Sequence, residues 1–212
     1  MNYIITFFLG LVVSFAGSIP PAGINLTAIR IAIEKSKANA LWFSAGSVLI
    51  EGVFIFISLN FASYVASHSH WEIWIKWTAV FVFLILGIAA FRTPSAAPEK
   101  VETKKQTGSS DFAYGMFLSV INPLQIPFWL AYGTYFYTNH WIDEALSTTI
   151  VFVIGAMIGT FILLYVYAVY ASKVLSRIMK NTLSGKRLIG YIFLGLAVFQ
   201  LAQNLWEYFK VQ

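Results

Sequence analysis

Long apolar stretches separated by short polar segments dominate the chain. There are six, and two are interrupted by prolines and polar residues: Tyr3–Ile33 (interrupted), Ala40–Ala66, Trp71–Phe91, Phe112–Thr138 (interrupted), Leu146–Ala171 and Leu188–Phe209. None shows the alternation of apolar and polar positions that is typical of a half-buried strand. Because a helix needs about 20 apolar residues to cross a bilayer, the pattern predicts an all-α membrane protein with six transmembrane helices.

A polar segment rich in Pro, Ser and Lys divides the chain into two halves. It covers residues 92–111 and predicts a loop. We therefore expect a first transmembrane repeat of three helices over residues 1–91 and a second over residues 112–212. Three spans end on the opposite side of the membrane, so a repeat relating the two halves must be inverted.

Basic residues are distributed unevenly between the two faces that six spans would create. One face holds 12 of the 14 Lys and Arg residues: Arg30, Lys35, Lys37, Arg92, Lys100, Lys104, Lys105, Lys173, Arg177, Lys180, Lys186 and Arg187. Cytoplasmic loops carry an excess of Lys and Arg. The distribution predicts a cytoplasmic 92–111 loop and places both termini outside.

Composition and charge agree with this class. The chain is 58% hydrophobic and 11% charged, whereas a soluble domain carries about 25% charged residues. The net charge of +5 reflects the loops, and no interleaving of basic and aromatic residues indicates nucleic-acid binding. The chain has no cysteine, which excludes disulfides and thiolate metal sites.

The interruptions "SIPPAGINLT" (Ser18–Thr27) and "VINPLQIPFWL" (Val120–Leu130) lie in the first stretch of each half. An offset of 103 residues matches Pro20 with Pro123, Gly52 with Gly155 and Gly87 with Gly190. Proline breaks helices, and the carbonyls it frees need partners inside the protein or in a watery cavity. Broken spans at corresponding places in two halves indicate a transporter binding site; the alternative is a kink that serves packing.

A half-helix restarting near residues 22–25 would present free N–H groups and a positive dipole end, which suit a carboxylate or another anionic group. Neutral hydrogen-bonding side chains lie near both breaks. We predict a substrate site built from Pro20, Pro21, Gly23, Asn25, Thr27, Ser47, Glu51, Asn122, Pro123 and Gln125.

Glu51 lies deep in the second apolar stretch, and Ser44, Ser47 and Ser58 fall on its face at helical spacing. A charged group near the middle of a bilayer is expensive and indicates function. Glu51 could pair with a substrate amine or carry a coupling proton. The structural alternative is a protonated Glu that hydrogen-bonds to a neighbouring helix.

Gly155 and Gly159 form a GxxxG motif, which favours close helix contact. The motif leaves open a contact within the chain and a homodimer between copies. Gln200, Gln203 and Asn204 give the last stretch a polar face, for which helix–helix contact is the preferred interpretation.

The residues that catalysis would require are missing from the apolar stretches. Glu51 has no second acid beside it, and the three histidines, His68, His70 and His140, fall at the predicted outer surface. No nucleotide-binding loop occurs. We therefore expect neither enzymatic activity nor a cofactor, and no metal site.

Three motifs resemble the LysE/RhtB family of small exporters. "PPAGINLT" (Pro20–Thr27) stands where the family has a PGP-type motif followed by Asn. "AGSVLIEG" (Ala45–Gly52) matches its small–Gly–apolar–acid pattern, with Glu51 where Asp is usual, and "INPLQIPFW" (Ile121–Trp129) matches its Asn-Pro break. The resemblance covers nearly the whole chain. Because PPAG replaces PGP and Glu replaces Asp, the lysine, threonine or homoserine substrates of the family are not carried over.

The resemblance implies export of amino acids or related small molecules across the cytoplasmic membrane of a bacterium or archaeon, driven by the proton-motive force. The rival hypotheses are a non-transporting membrane scaffold or subunit and a metal-ion exporter. A transporter predicts a polar cavity that contains Glu51, whereas a scaffold predicts a Glu51 covered by packed side chains.

Overall fold

The chain is helical wherever the structure describes regular secondary structure. The computed structural model describes residues 2–19, 23–66, 77, 80–81, 83–85, 87–88, 108–122, 125–174 and 182–210. The helices with defined bounds there are α1 (Tyr3–Ser18), α2 (Gly23–Glu34), α3 (Lys37–Ala66), α4 (Gly108–Val120), α5 (Gln125–Thr138), α6 (Leu146–Val169) and α7 (Thr182–Lys210). The predicted all-α class is confirmed.

Two of these helices are long and apolar enough to cross a bilayer. They are α3, over Lys37–Tyr64 with a mean hydropathy of 1.9, and α6, over Leu146–Val169 with a mean hydropathy of 2.4. The α1–α2 pair adds a third if it is counted as one broken span, with an angle of 77° between its helices. The described residues thus support two to three spans, and the six-span 3+3 inverted repeat stays a prediction.

Both predicted interruptions separate two helices. In the first half α1 ends at Ser18 and α2 begins at Gly23; in the second, α4 ends at Val120 and α5 begins at Gln125. The prolines that motivated the prediction lie outside the described residues: Pro20, Pro21 and Pro123. The same holds for most of the Trp71–Phe91 stretch.

The polar segment between the halves gives way to helix earlier than the hydrophobic pattern indicates. α4 begins at Gly108, four residues before the expected boundary at residue 112, whereas residues 92–107 lie outside the described part of the chain. Asp111 lies in the first turn of α4. A carboxylate in the first turn favours a helix start there because it lies near the positive end of the helix dipole.

The central pair of helices, α3 and α6, runs antiparallel. Ile55 of α3 shares a buried cluster with Phe152 of α6, whereas Val48 shares the other cluster with Leu164. Later positions of one helix therefore meet earlier positions of the other. The two clusters lie on either side of the level at which Glu51 stands in α3.

α3 and α4 cross at very short range. A Cβ atom on Gly46 would overlap the carbonyl oxygen of Phe112, and one on Gly115 would overlap the carbonyl oxygen of Phe43. Small residues allow two helix backbones to approach in this way. The contact fixes α4 against the first half of α3.

α1 and α6 cross in the same manner. A Cβ atom on Gly155 would overlap the carbonyl oxygen of Phe7, one on Gly10 would overlap that of Phe152, and Gly159 also faces a carbonyl of α1. Gly155 and Gly159 therefore make a contact within the chain. The prediction of a homodimer through these glycines loses its basis.

The two crossings use the same residue types in the same register. The matched residues are Phe43 with Phe152, Gly46 with Gly155, Phe7 with Phe112, and Gly10 with Gly115. The offset is 109 residues between α3 and α6 and 105 residues between α1 and α4. The single offset of 103 is wrong for these helices: Gly52 packs against the side chain of Met157, not against backbone as its supposed counterpart Gly155 does.

Candidate functional site

Glu51 lies in the middle of α3, where this helix meets α5 and α6. Its side chain is buried, with 8% of its surface exposed. Thr160 of α6 donates a hydrogen bond to its carboxyl group, with 3.2 Å between Oγ1 and Oε1, and the indole of Trp129 in α5 lies beside it. The burial expected for Glu51 is therefore observed, together with two neighbours that the sequence did not identify.

A chain of hydroxyl groups connects Glu51 to α1. Ser14 Oγ lies 2.5 Å from Thr160 Oγ1, and Ser18 Oγ lies 3.5 Å from the same atom. Ser14 and Ser18 are four residues apart and so share the face of α1 that packs on α6. Side chains from α1, α3, α5 and α6 thus converge on one carboxyl group.

The carbonyl groups freed at the end of α1 find partners on other helices. Asn25 Nδ2 of α2 donates to the carbonyl oxygen of Ser18 over 2.6 Å, and the Tyr167 hydroxyl of α6 donates to that of Ile19. Unpaired polar backbone in hydrocarbon costs several kcal/mol per group, roughly. The break is therefore stabilised from within the protein.

The predicted site residues of the first half have distinct surroundings. Asn25 is buried and bonded to the end of α1. The Thr27 hydroxyl donates to the carbonyl of Gly23 within α2, over 2.8 Å. Gly23 is exposed, with open space where a Cβ would lie. The half-helix restarts at Gly23, inside the expected range of residues 22–25.

The second break is bridged by Gln125, the first residue of α5. Its Nε2 donates to Ser119 Oγ in the last turn of α4 over 2.9 Å, and Ser119 Oγ lies 3.2 Å from its Oε1. The backbone N–H of Asn122 donates to the carbonyl of Ser119 over 3.2 Å. Gln125 and Asn122 thus hold the chain where α4 ends, as Asn25 does where α1 ends.

Segments beside the two breaks touch each other. A Cβ atom on Gly17, next to the end of α1, would lie 2.5 Å from the ring of Phe128 in α5. Ser47 is buried one turn before Glu51, and its backbone nitrogen packs against Gly115 in the α3–α4 crossing. The structure thus brings Glu51 and the flanks of both breaks into one region.

Packed side chains cover the carboxyl group of Glu51. Trp129 is 1% exposed and shares a buried cluster with Ile55 and Phe152. A covered carboxyl is the outcome that the sequence predicts for a scaffold, and it differs from the polar cavity predicted for a transporter.

A buried ionic cluster lies where the start of α3 meets the start of α4. Lys35 Nζ lies 2.5 Å from Asp111 Oδ1, and Asn39 Nδ2 lies 2.5 Å from Asp111 Oδ2. Asp111 is fully buried, and the side chain of Lys35 is 10% exposed. This cluster ties the turn between α2 and α3 to the first turn of α4.

Among the described residues, no three His, Asp or Glu side chains come close enough to hold a metal ion. His68 and His70 lie outside the described residues.

Sequence reasoning missed Thr160, Ser14 and Trp129. The only local signal was the spacing of Ser14 and Ser18 on one face of an apolar helix. Nothing local connects either residue to Thr160, which is 146 residues from Ser14 in the chain. That connection depends on the α1–α6 crossing.

Comparison with known proteins identifies a family. A model described as LysE type translocator matches residues 15–204 of the chain. No curated protein matches it, and no solved structure does.

Proposed function

The chain belongs to the LysE type translocator family, and from that premise we propose that it is a secondary transporter that exports amino acids or related small metabolites, driven by the proton-motive force. Its membrane is the cytoplasmic membrane of a bacterium or archaeon, with both termini outside and the 92–111 loop inside. The observation that carries the proposal is Glu51, a buried acid that hydrogen-bonds to Thr160 of the other half of the chain.

The cost of placing Glu51 in the membrane supports a role in transport. An acid at the centre of a transmembrane helix costs about 2.5–3.5 kcal/mol on insertion scales. The hydrogen bond from Thr160 offsets part of this cost. A carboxyl group in this position can exchange a proton or pair with a substrate amine, and both roles give export a chemical basis.

The matched glycine crossings support the inverted repeat. The offsets of 109 and 105 residues that relate them make Thr160 the counterpart of Glu51 and Ser119 the counterpart of Ser14. Glu51 and Thr160 hydrogen-bond to each other, as counterparts do when a two-fold axis passes between them. Transporters with inverted repeats bind their substrate at such a junction, near the middle of the bilayer.

The covered state of Glu51 fits this mechanism. Rocking of one repeat against the other opens the central site to each side in turn, and it must pass through a form closed to both. The contact of Gly17 with Phe128 joins the flanks of the two breaks in that closed form. Opening the site would separate segments that belong to different halves.

Transport by purified protein in liposomes tests the proposal. Wild-type protein is expected to move at least one member of a panel of amino acids and related amines when a pH gradient is imposed. Glu51→Gln removes the charge but keeps the size, so gradient-driven transport should be lost. Glu51→Asp should keep part of it. Glu34→Gln, the same change at an exposed position paired with Arg30, is the matched control.

The two roles of Glu51 differ in what else Glu51→Gln changes. If the acid carries the proton, exchange of substrate without a gradient should persist. If it pairs with an amine, binding of amine-bearing compounds should weaken, whereas binding of compounds without an amine should not. Unchanged transport in Glu51→Gln would refute both roles and support a structural Glu51, and a chain that moves no compound would support the scaffold.

Exchanging the two counterparts tests the repeat. In Glu51→Thr/Thr160→Glu the acid stays at the junction but belongs to α6. We expect the double variant to recover part of the transport that Glu51→Thr loses. Recovery no greater than in Glu51→Thr would argue against a two-fold axis between these residues.

A further inference from the structure

Thr160 occupies a distinctive position between Glu51 and α1. It is 6% exposed and donates to the carboxyl group of Glu51, and its oxygen lies 2.5 Å from the hydroxyl of Ser14. Its counterpart in the other half is Glu51 itself. The junction therefore holds one acid and one hydroxyl at matched places, and the hydroxyl faces the broken first helix.

The direction of the hydrogen bonds follows from the number of protons. A hydroxyl group has one proton to donate. When Thr160 donates to an ionised Glu51, Ser14 has to donate to Thr160. When Glu51 is protonated, it can donate to Thr160, and Thr160 is then free to donate to Ser14. The hydrogen bonds among Glu51, Thr160 and Ser14 thus have two arrangements, and the protonation state of Glu51 selects between them.

Polar contacts also extend from Thr160 towards the break between α1 and α2. The hydroxyl of Ser18 lies 3.5 Å from Thr160 Oγ1, and the carbonyl of Ser18 accepts the hydrogen bond from Asn25 that anchors α2. Ser14 and Ser18 together form the face of α1 that meets Thr160. Ser18 therefore contacts Thr160 through its side chain and Asn25 of α2 through its carbonyl group.

We propose that Thr160 is a positioning residue that orients Glu51 and transmits its protonation state through Ser14 and Ser18 to the end of α1. This inference rests on the proposed function, in which Glu51 is the group that transport uses. Proton binding at the centre of the membrane then alters the hydrogen bonds at the break.

Thr160→Val tests the inference because it keeps the shape of the side chain and removes the hydroxyl. Thr149→Val is the matched control: Thr149 is a buried threonine of the same helix whose hydroxyl lies 3.3 Å from that of Tyr137, away from Glu51. Thr160→Ser keeps the hydroxyl and should restore wild-type behaviour. If Thr160→Val fails to fold, Ser14→Ala is the second variant, because it removes the hydroxyl of α1 that contacts Thr160.

The first measurement is transport as a function of pH in liposomes. Hydrogen bonds to charged groups are strong enough to move a titration by about one pH unit. Thr160→Val should therefore move the pH midpoint by about one unit and lower kcat about tenfold, with KM changed less than threefold. Ser14→Ala should move the midpoint less, and Thr149→Val and Thr160→Ser should leave it in place.

The second measurement does not need transport. The infrared carboxyl bands of Glu51 are those that disappear in Glu51→Gln. They should shift in Thr160→Val and Ser14→Ala but stay in place in Thr149→Val. Infrared bands and pH profiles that stay unchanged in both Thr160→Val and Ser14→Ala would overturn the inference. A wild-type protein that moves no compound but shows the band shifts would refute the proposed function and leave the positioning role intact.

Discussion

Separating the buried ion pair of Lys35 and Asp111 should destabilise the protein strongly. Asp111→Leu removes the charge that faces Lys35, and Lys35→Met removes the cation that faces Asp111. Breaking a buried pair by removing one partner costs about 3–5 kcal/mol, because the remaining charge stays buried without its counter-charge. Both side chains are well shielded from solvent: Asp111 is 0% exposed and Lys35 is 10% exposed.

Replacing both partners together should cost much less. Buried ion pairs exchanged for apolar residues of similar volume are often neutral in stability, because the desolvation penalty disappears with the charges. Lys35→Met/Asp111→Leu leaves the hydrogen bond from Asn39 without its acceptor. The loss should therefore be about 1–3 kcal/mol, the cost of one buried unsatisfied group.

The assay is equilibrium unfolding in detergent micelles for the wild type, both single variants and the double variant, analysed as a double-mutant cycle. Arg30 and Glu34 provide the control cycle, since their pair is longer, at 3.8 Å, and partly exposed. Its coupling should be about 0.3–0.5 kcal/mol. A Lys35–Asp111 coupling as small as that of the control would refute the reasoning from burial.

Three further outcomes are expected. Gly115→Ala should destabilise the protein by about 1–3 kcal/mol in the same unfolding assay, because its Cβ would overlap α3 backbone, whereas Gly195→Ala, with open space around it, should be neutral or stabilising. Tyr167→Phe should lower stability by about 0.5–1.5 kcal/mol, the net contribution of one hydrogen bond, because it removes the donor to a carbonyl of the α1–α2 break; unchanged stability would mean that water replaces this donor. Cysteines introduced at Ser109 and Gln212 report topology in intact cells, where an impermeant reagent should label the second and not the first; the opposite result would reverse the proposed orientation.

Much of the fold was predictable because hydropathy and helix breaking are local properties. The apolar stretches anticipated the helices, and the proline-containing segments anticipated the separation of α1 from α2 and of α4 from α5. The burial of Glu51 followed from its depth in an apolar stretch. The early start of α4 was missed, because its first turn is polar and its stabilising contacts come from Lys35 and Asn39.

The sequence by itself determined which segments are helical and apolar, where two of them break, and which family the chain resembles. Only the tertiary structure decided what those helices present to one another. The 3.6-residue period determines which residues share a face, but the partner of that face and the register of the contact come from packing between distant segments. For that reason only the structure showed that Gly155 contacts α1 rather than a second copy. Likewise, Thr160 could be identified as the partner of Glu51 only once the packing of α3, α6 and α1 was known.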